Sequence, residues 1–128
     1  MTIRRLEPAG LHASPAFAHG MLVEGPGRWI VVGGQNGVDA SGAIVGDDLA
    51  AQTRQALRNV LAVLAAGGAT QADVVKLTIY LVAGHDAREA FAASREIWGA
   101  HPTAITVLQV VGLANPGFLV EIDALAHA

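Results

Sequence analysis

The sequence contains no cysteine, which excludes disulfide bonds, thiolate nucleophiles and thiolate metal sites. Lysine is also scarce, since Lys76 is the single one, and the net charge is −3. The eight basic residues are scattered along the chain rather than gathered into a stripe. A nucleic acid requires a concentrated basic surface, so we expect no nucleic-acid partner.

Long apolar runs are absent as well. The runs at residues 29–32 and 104–108 are far shorter than the roughly 20 residues that a membrane-spanning helix needs. Residues 1–8 include two arginines but no apolar segment before a cleavage site, so no secretory signal is visible. We therefore expect a cytoplasmic protein with no membrane partner.

Aliphatic residues dominate what is present. Of the 128 residues, 52% are hydrophobic, whereas 5% are aromatic and 15% are charged. This composition favours tightly packed layers of helix and sheet over disorder. The length suits one hydrophobic core, and no linker or internal repeat divides the chain. We expect a single domain that spans residues 1–128.

The first half of the chain predicts two strands and a helix. Residues 16–23 and 29–32 are separated by a glycine-proline turn, which is typical of an antiparallel hairpin. Asp47 and Asp48 are both candidate caps for a helix whose apolar residues recur at helical spacing from Leu49 onward. Glycines at positions 67 and 68 end this helix.

The second half predicts a strand, a helix and two further strands, so the full order is β-β-α-β-α-β-β. Residues 75–82 alternate with the period of a strand. The second helix begins at Asp86, and its expected buried stripe is Ala87, Ala90, Phe91, Ser94, Ile97 and Trp98. Residues 104–111 and 118–126 are strands, and the glycine-rich connection between them suits a second hairpin.

Two helices can cover only one face of this sheet. In the last two strands the even-numbered side chains are expected beneath the helices: Ala104, Thr106, Leu108, Val110, Phe118, Val120, Ile122 and Ala124. The odd-numbered side chains mix aliphatic and polar groups: Ile105, Val107, Gln109, Leu119, Glu121, Asp123 and Leu125. Such a mixture is expected at an interface between subunits that contains a pocket, so we predict a homo-oligomer.

Few residues carry an obvious chemical signature. The five histidines show no spacing that presets a metal site, and the serines lie outside a G-x-S-x-G turn. Residues 33–37, Gly-Gly-Gln-Asn-Gly, form either a tight bend or a segment whose main-chain N–H groups approach a ligand. Glu121 and Asp123 project from one strand face, where they either perform acid–base chemistry or pair with arginines of a neighbouring subunit.

Several motifs occur together in a familiar order: Trp29-Ile-Val-Val-Gly-Gly-Gln35, Ala51-Gln52, Leu57-Arg-Asn-Val60, Asp73-Val-Val-Lys76 and Leu119-Val-Glu-Ile-Asp-Ala-Leu-Ala126. Over nearly the whole chain they resemble the RidA (YjgF) family. The resemblance implies an α+β chorismate-mutase-like fold, in which two helices pack on one face of a mixed β-sheet. It also implies a homotrimer with small-molecule clefts between subunits, where enamines and imines are hydrolysed without a metal or cofactor.

The same resemblance assigns site residues. Glu121 matches the family glutamate that orients the hydrolytic water, and Gly34 matches a glycine whose backbone contacts the substrate. Family pocket positions fall on Phe17, Gly33, Gln35, Phe91, Ile105 and Val107. The family arginine that binds the substrate carboxylate falls on Ile105 or Ala104, depending on the direction of counting, and neither is charged.

The residues and the resemblance together raise three hypotheses about function. The first is a divergent RidA-like trimer that hydrolyses or deaminates a small metabolite less acidic than a 2-imino acid, with Glu121 as the catalytic residue. The second is a non-catalytic trimer that binds a metabolite and regulates another process. The third is the endoribonuclease activity of the family's older label, which the acidic net charge and single lysine disfavour.

Overall fold

The computed structural model describes residues 2–128. These residues form β-strands, two α-helices and a short 3-10 turn at Gln71–Asp73. They are β1 (Thr2–Leu6), β2 (Gly20–Glu24), β3 (Trp29–Asn36), α1 (Leu49–Ala66), β4 (Val74–Val82), α2 (Ala87–Trp98), β5 (Ala104–Val110) and β6 (Val120–His127). Strand β1 is additional to the predicted order, because its five residues, Thr-Ile-Arg-Arg-Leu, do not alternate apolar and polar side chains.

Both helices begin at aspartates that the sequence predicted as caps. The Asp48 carboxylate accepts hydrogen bonds from the N–H groups of Ala50 and Ala51, and the Asp86 carboxylate accepts one from Arg88 N–H. These contacts satisfy main-chain donors that the first turn of a helix leaves unpaired. No helix within residues 2–128 has the length and apolar character needed to cross a bilayer.

The main sheet has the strand order β3-β6-β4-β5. Strand β6 runs antiparallel to both β3 and β4, whereas β5 runs parallel to β4 and is reached through α2. Strands β1 and β2 form a separate antiparallel pair. The predicted α+β fold, a mixed sheet with two helices packed on one face, is therefore confirmed.

Both predicted hairpins are wrong. Strand β2 pairs with β1 rather than β3, and β5 pairs with β4 rather than β6. Short glycine-containing connections permit hairpins, but the pairing of strands is decided by contacts between distant parts of the chain. Strand β6 instead occupies the centre of the sheet, where both of its edges are hydrogen bonded.

One face of the main sheet packs beneath the helices. On β6 the even-numbered residues Val120, Ile122 and Ala124 are at most 4% exposed, as predicted, and Ala126 is buried as well. They meet buried α1 residues, including Leu57, Val60 and Leu64, in one hydrophobic core. The opposite face, called the open face below, carries the odd-numbered residues of β6, including Glu121 and Asp123.

The predicted faces of β5 are reversed. Ile105 is in register with Leu77, which is in register with the buried Ala124, and Ile105 packs against the core. Thr106 therefore lies on the open face, where its hydroxyl accepts a hydrogen bond from the Lys76 ammonium. Alternation along a strand is fixed by its pleat, but which set faces the core depends on its register with β4.

Candidate functional site

Glu121 lies near the middle of the open face. It stands opposite Asn36 of β3 and Tyr80 of β4, and its side chain is half-buried. A β-bulge between Val32 and Gln35 shifts the register of β3 beside it. Bulges bend a strand and redirect side chains, and this one brings the end of β3 against the glutamate.

The main chain of Gly34 lies directly against the Glu121 carboxylate. A Cβ atom added at this glycine would lie 2.7 Å from Glu121 Cδ and 2.9 Å from its Cγ. Real Cβ atoms essentially never approach this closely, so the glutamate occupies its position because residue 34 has no side chain. The glycine segment therefore brings main chain up to a functional group, which was one of its two interpretations.

Asn36 holds the other side of the carboxylate. Its Nδ2 donates to Glu121 Oε1 at 3.2 Å and to the Val120 carbonyl at 3.0 Å. Asn36 was not among the residues predicted for the site, although it directly follows the Gly-Gly-Gln segment. No local pattern marks it, because its partners lie more than 80 residues along the chain.

Tyr80 and Asp123 are further polar residues of the open face beside Glu121. The Tyr80 hydroxyl donates to Asp123 Oδ2 at 3.4 Å. The negative charge of Asp123 raises the pKa of Tyr80 above its usual value, and desolvation, the hydrogen bond and the charge of Glu121 act in the same direction. The phenol therefore keeps its proton at neutral pH and is a donor beside two carboxylates.

Gln35 and its neighbours line a cleft beside this cluster. The Gln35 side chain turns back to donate from Nε2 to the Gly33 carbonyl at 3.1 Å. The cleft has a volume of about 450 Å³ and is lined by Gly34, Gln35, Asn36, Val38, Asp39, Ala40, Gln55 and Asn59. Carboxamide groups predominate, so the cleft offers both donors and acceptors to a small polar molecule.

The remaining site residues predicted from the sequence lie elsewhere in the chain. Phe17 precedes Ala18, whose N–H donates to the Thr103 carbonyl just before β5. Val107 is 53% exposed on β5, and Ile105 faces the helix side of the sheet. One chain thus places Gly33, Gly34, Gln35 and Glu121 together, and places Ile105 and Val107 on the opposite edge strand and face.

Phe91 is also apart from Glu121. It was expected in the buried stripe of α2, but it is 52% exposed, and the Arg95 guanidinium lies 5.9 Å from its ring centroid. The residues of α2 that are buried are Ala90, Ala93 and Trp98. The stripe prediction is therefore wrong at Phe91, because the helix meets its neighbours through a narrower face than its apolar residues suggest.

The arginines near these residues have other partners. Arg5 Nη2 donates to the Phe17 carbonyl at 3.2 Å and the Ser14 carbonyl at 3.4 Å, and it pairs with Glu7 Oε1 at 2.9 Å. This residue holds the loop before β2, and sequence reasoning did not single it out. Arg5 Nη2 is therefore engaged by Glu7 and by carbonyls of this loop.

Arg28 and Arg88 also have partners within the chain. Arg28 donates to the Gly67 carbonyl, and Arg88 forms a forked ion pair with Asp86 at 2.9 Å.

Within residues 2–128, no group of three or more histidine, aspartate or glutamate side chains is placed to hold a metal ion.

Comparison with known proteins gives a consistent result. A family model described as Endoribonuclease L-PSP matches residues 9–128. A RutC family protein of Pyrococcus horikoshii is 34% identical over 102 residues, which are 79% of this chain and 80% of that protein. The 2-iminobutanoate/2-iminopropanoate deaminase of Salmonella typhimurium is 30% identical over 102 residues, covering 78% of this chain and 80% of that enzyme. A solved structure of a protein of unknown function from the conserved Rid family of Yersinia pestis is 36% identical, with a TM-score of 0.87 over 100% of both chains.

Proposed function

The chain belongs to the RidA/YjgF family, also described as Endoribonuclease L-PSP, and we propose that it is a cytoplasmic homotrimer that hydrolyses a small enamine or imine. The reaction requires no metal or cofactor. Glu121 is the catalytic residue, and the substrate lies in a cleft between two subunits. The carrying observation is the Glu121 carboxylate, which is held against Gly34 on a sheet face that no helix covers.

The proposed association of subunits is supported by how the predicted site residues are distributed. Glu121 and Gly34 lie on the open face near β3, whereas Ile105 and Val107 lie on the opposite face of β5, at the other edge of the sheet. One chain cannot bring these two groups around one small molecule. A neighbouring subunit that presents its β5 edge to the Glu121 region supplies the second half of the pocket.

Exposed apolar residues on the open face support the proposal that another subunit covers it. Trp29 and Val31 on β3 are 55% and 76% exposed, and Val31 is in register with Leu125 of β6. An aliphatic and aromatic surface of this kind on a sheet face is costly to leave in water. Contact with another subunit removes that cost and also closes the cleft over Glu121.

In the proposed reaction Glu121 acts as a general base. Its carboxylate takes a proton from water while the water oxygen forms a bond to the carbon of the imine, which is protonated on nitrogen. The protonated Glu121 then returns its proton to the nitrogen, the carbon–nitrogen bond breaks and ammonia leaves, and the hydroxyl group loses its proton to solvent, so that a carbonyl compound remains. An enamine enters this sequence after protonation at carbon. General-base catalysis of this kind contributes about 10²- to 10⁴-fold.

The substrate is less acidic than a 2-imino acid. Neither Ala104 nor Ile105 supplies the guanidinium that binds a carboxylate in the family, and Glu121 and Asp123 make this part of the open face negative. Loss of one charge-assisted contact costs about 1.5–3 kcal/mol, which corresponds to about a 10- to 150-fold loss of affinity. A neutral enamine or imine avoids that loss.

Ammonia release from enamines generated in solution tests the proposal. We expect the protein to accelerate hydrolysis of a neutral imine more than that of 2-iminopropanoate, and Glu121→Gln to abolish the acceleration. Glu24→Gln is the matched control, because Glu24 is exposed at the end of β2. Light scattering measures the subunit number. A monomer, or a rate no higher than the uncatalysed one, refutes the proposal.

A second function, a metabolite-binding trimer without catalysis, is favoured by the apolar residues at pocket positions that the family resemblance assigns. Phe17, Phe91 and Ile105 cannot donate hydrogen bonds to a reacting group from their side chains. Such a protein is expected to gain thermal stability from a small ligand while ammonia release stays at background. Loss of that stabilisation in Glu121→Gln would place the ligand in the same cleft.

A further inference from the structure

We propose that Asn36 is a positioning residue that fixes the Glu121 carboxylate for catalysis. This inference rests on the proposed function, since it gives Glu121 a chemical task. It assigns a role to a residue that lies outside the predicted pocket set. The geometry that carries it is the donation from Asn36 Nδ2 to Glu121 Oε1 at 3.2 Å.

The Asn36 carboxamide has two N–H donors and uses them on different parts of β6. One bond goes to the Val120 carbonyl at 3.0 Å, and the other goes to the Glu121 side chain. The first bond anchors the amide to the sheet backbone and thereby fixes the direction of the second. A glutamate with three rotatable side-chain bonds is otherwise free to sample several rotamers on a half-open face.

Gly34 and Asn36 act on the carboxylate from two sides. A Cβ at Gly34 would lie 2.7 Å from Glu121 Cδ, so the carboxylate sits directly on the main chain of residue 34. Asn36 binds Oε1, whereas Oε2 is the carboxylate oxygen nearest to Gly34. The β-bulge before Gln35 is what places both neighbours beside one side chain.

Asn36 is itself held by helix α1. Asn59 Nδ2 donates to the carbonyls of Asn36 at 3.1 Å and Val38 at 2.9 Å, and Gln55 Nε2 donates to Asn59 Oδ1 at 2.9 Å. The Gln55 and Asn59 carboxamides of the helix therefore hold the main chain of Asn36, whose own side chain binds Glu121. Second-layer hydrogen bonds of this kind restrict a functional group to its productive geometry.

A purely structural role for Asn36 makes a different prediction. If its function is only to tie the end of β3 to β6 through Val120, its removal destabilises the protein but leaves the Glu121 carboxylate in place. If it positions Glu121, its removal releases the carboxylate even where the backbone is unchanged. The position of the Glu121 side chain in an Asn36 variant distinguishes the two roles, and a crystal structure shows it directly.

Crystal structures and steady-state kinetics of Asn36→Ala and Asn36→Asp provide the test. Asp has nearly the same shape as Asn but, when ionised, has no donor for either bond. We expect the Glu121 carboxylate to leave Gly34 in both variants, and kcat for the neutral imine to fall about 10-fold or more with little change in KM. Asn36→Gln, which retains both donors, is expected to recover part of kcat. Asn115→Ala is the matched control, since Asn115 caps its own loop through Gly117 N–H.

Each outcome decides the inference. A Glu121 carboxylate that keeps its position in Asn36→Ala overturns it, as does a loss of activity that Asn36→Asp does not share. If the wild-type protein hydrolyses no imine, the proposed function fails, but the structures still show whether Asn36 fixes Glu121. Displacement of the carboxylate in that case supports positioning of a ligand acceptor rather than of a general base.

Discussion

The substitution Gly34→Ala tests the arrangement of the site most sharply, because a single added carbon meets Glu121. The new Cβ would lie 2.7 Å from Glu121 Cδ and 2.9 Å from Cγ. The obstructing atoms are the end of a flexible side chain, so we expect the glutamate to rotate away while the backbone stays in place.

The magnitude follows from what the rotation disrupts. An off-rotamer side chain costs about 0.5–1.5 kcal/mol, and loss of the Asn36–Glu121 hydrogen bond costs a similar amount on this partly exposed face. We expect the free energy of unfolding to fall by about 1–2 kcal/mol. Imine hydrolysis is expected to fall to the level of Glu121→Gln, since the carboxylate no longer occupies the position proposed for the general base.

Two other glycines provide matched comparisons. At Gly37 an added Cβ would lie 2.7 Å from the main-chain Cα of Gln52, so helix α1 must shift and we expect a loss of about 3 kcal/mol. At Gly112 nothing lies within 4 Å of the added atom, and the change is expected to be neutral or to stabilise by up to about 1 kcal/mol.

Urea denaturation followed by tryptophan fluorescence measures all three variants, at one protein concentration because subunit association contributes to stability. A Gly34→Ala variant as unstable as Gly37→Ala would show that Glu121 cannot rotate, and the reasoning would be wrong. The same conclusion would follow from a variant structure in which Glu121 retains its bond to Asn36.

Three further predictions concern groups around the site and the helices. Gln52 is fully buried and makes three hydrogen bonds to main chain on both sides of the core, so Gln52→Leu is expected to lower the free energy of unfolding by about 3 kcal/mol in urea denaturation; a loss below about 1 kcal/mol would contradict this. Tyr80 is the single tyrosine, so absorbance titration of its phenolate reads it directly: its pKa should lie above 10.0, and Asp123→Asn should move it back towards that value. The bonds from Arg88 hold the pKa of Asp86 below 3.8, so Asp86 stabilises the fold above that pH and loses this effect as the pH falls through its lowered pKa. The stability difference between wild type and Asp86→Asn should therefore shrink in acid, and a difference that is constant with pH would argue against the pair.

Features that depend on neighbours along the chain could be predicted from the sequence. Asp48 and Asp86 cap their helices because a carboxylate reaches N–H groups two or three residues ahead, whatever the rest of the fold does. Alternation on β6 correctly separated its buried residues from Glu121 and Asp123 for the same reason. The family motifs are likewise strings of neighbouring residues, which is why family and fold class were within reach.

Tertiary structure alone decided which strands pair and which side chains meet. Strand β2 pairs with β1, and β6 sits between β3 and β4 rather than beside β5, so both predicted hairpins failed. The register with β4 turned Ile105 towards the helices. Asn36 and Glu121 are separated by 85 residues and meet only through the β3–β6 register. Helix caps, strand alternation and motifs depend on neighbouring residues. Which strands pair depends on the free energy of the whole sheet, and a one-residue change of register moves every side chain to the other face.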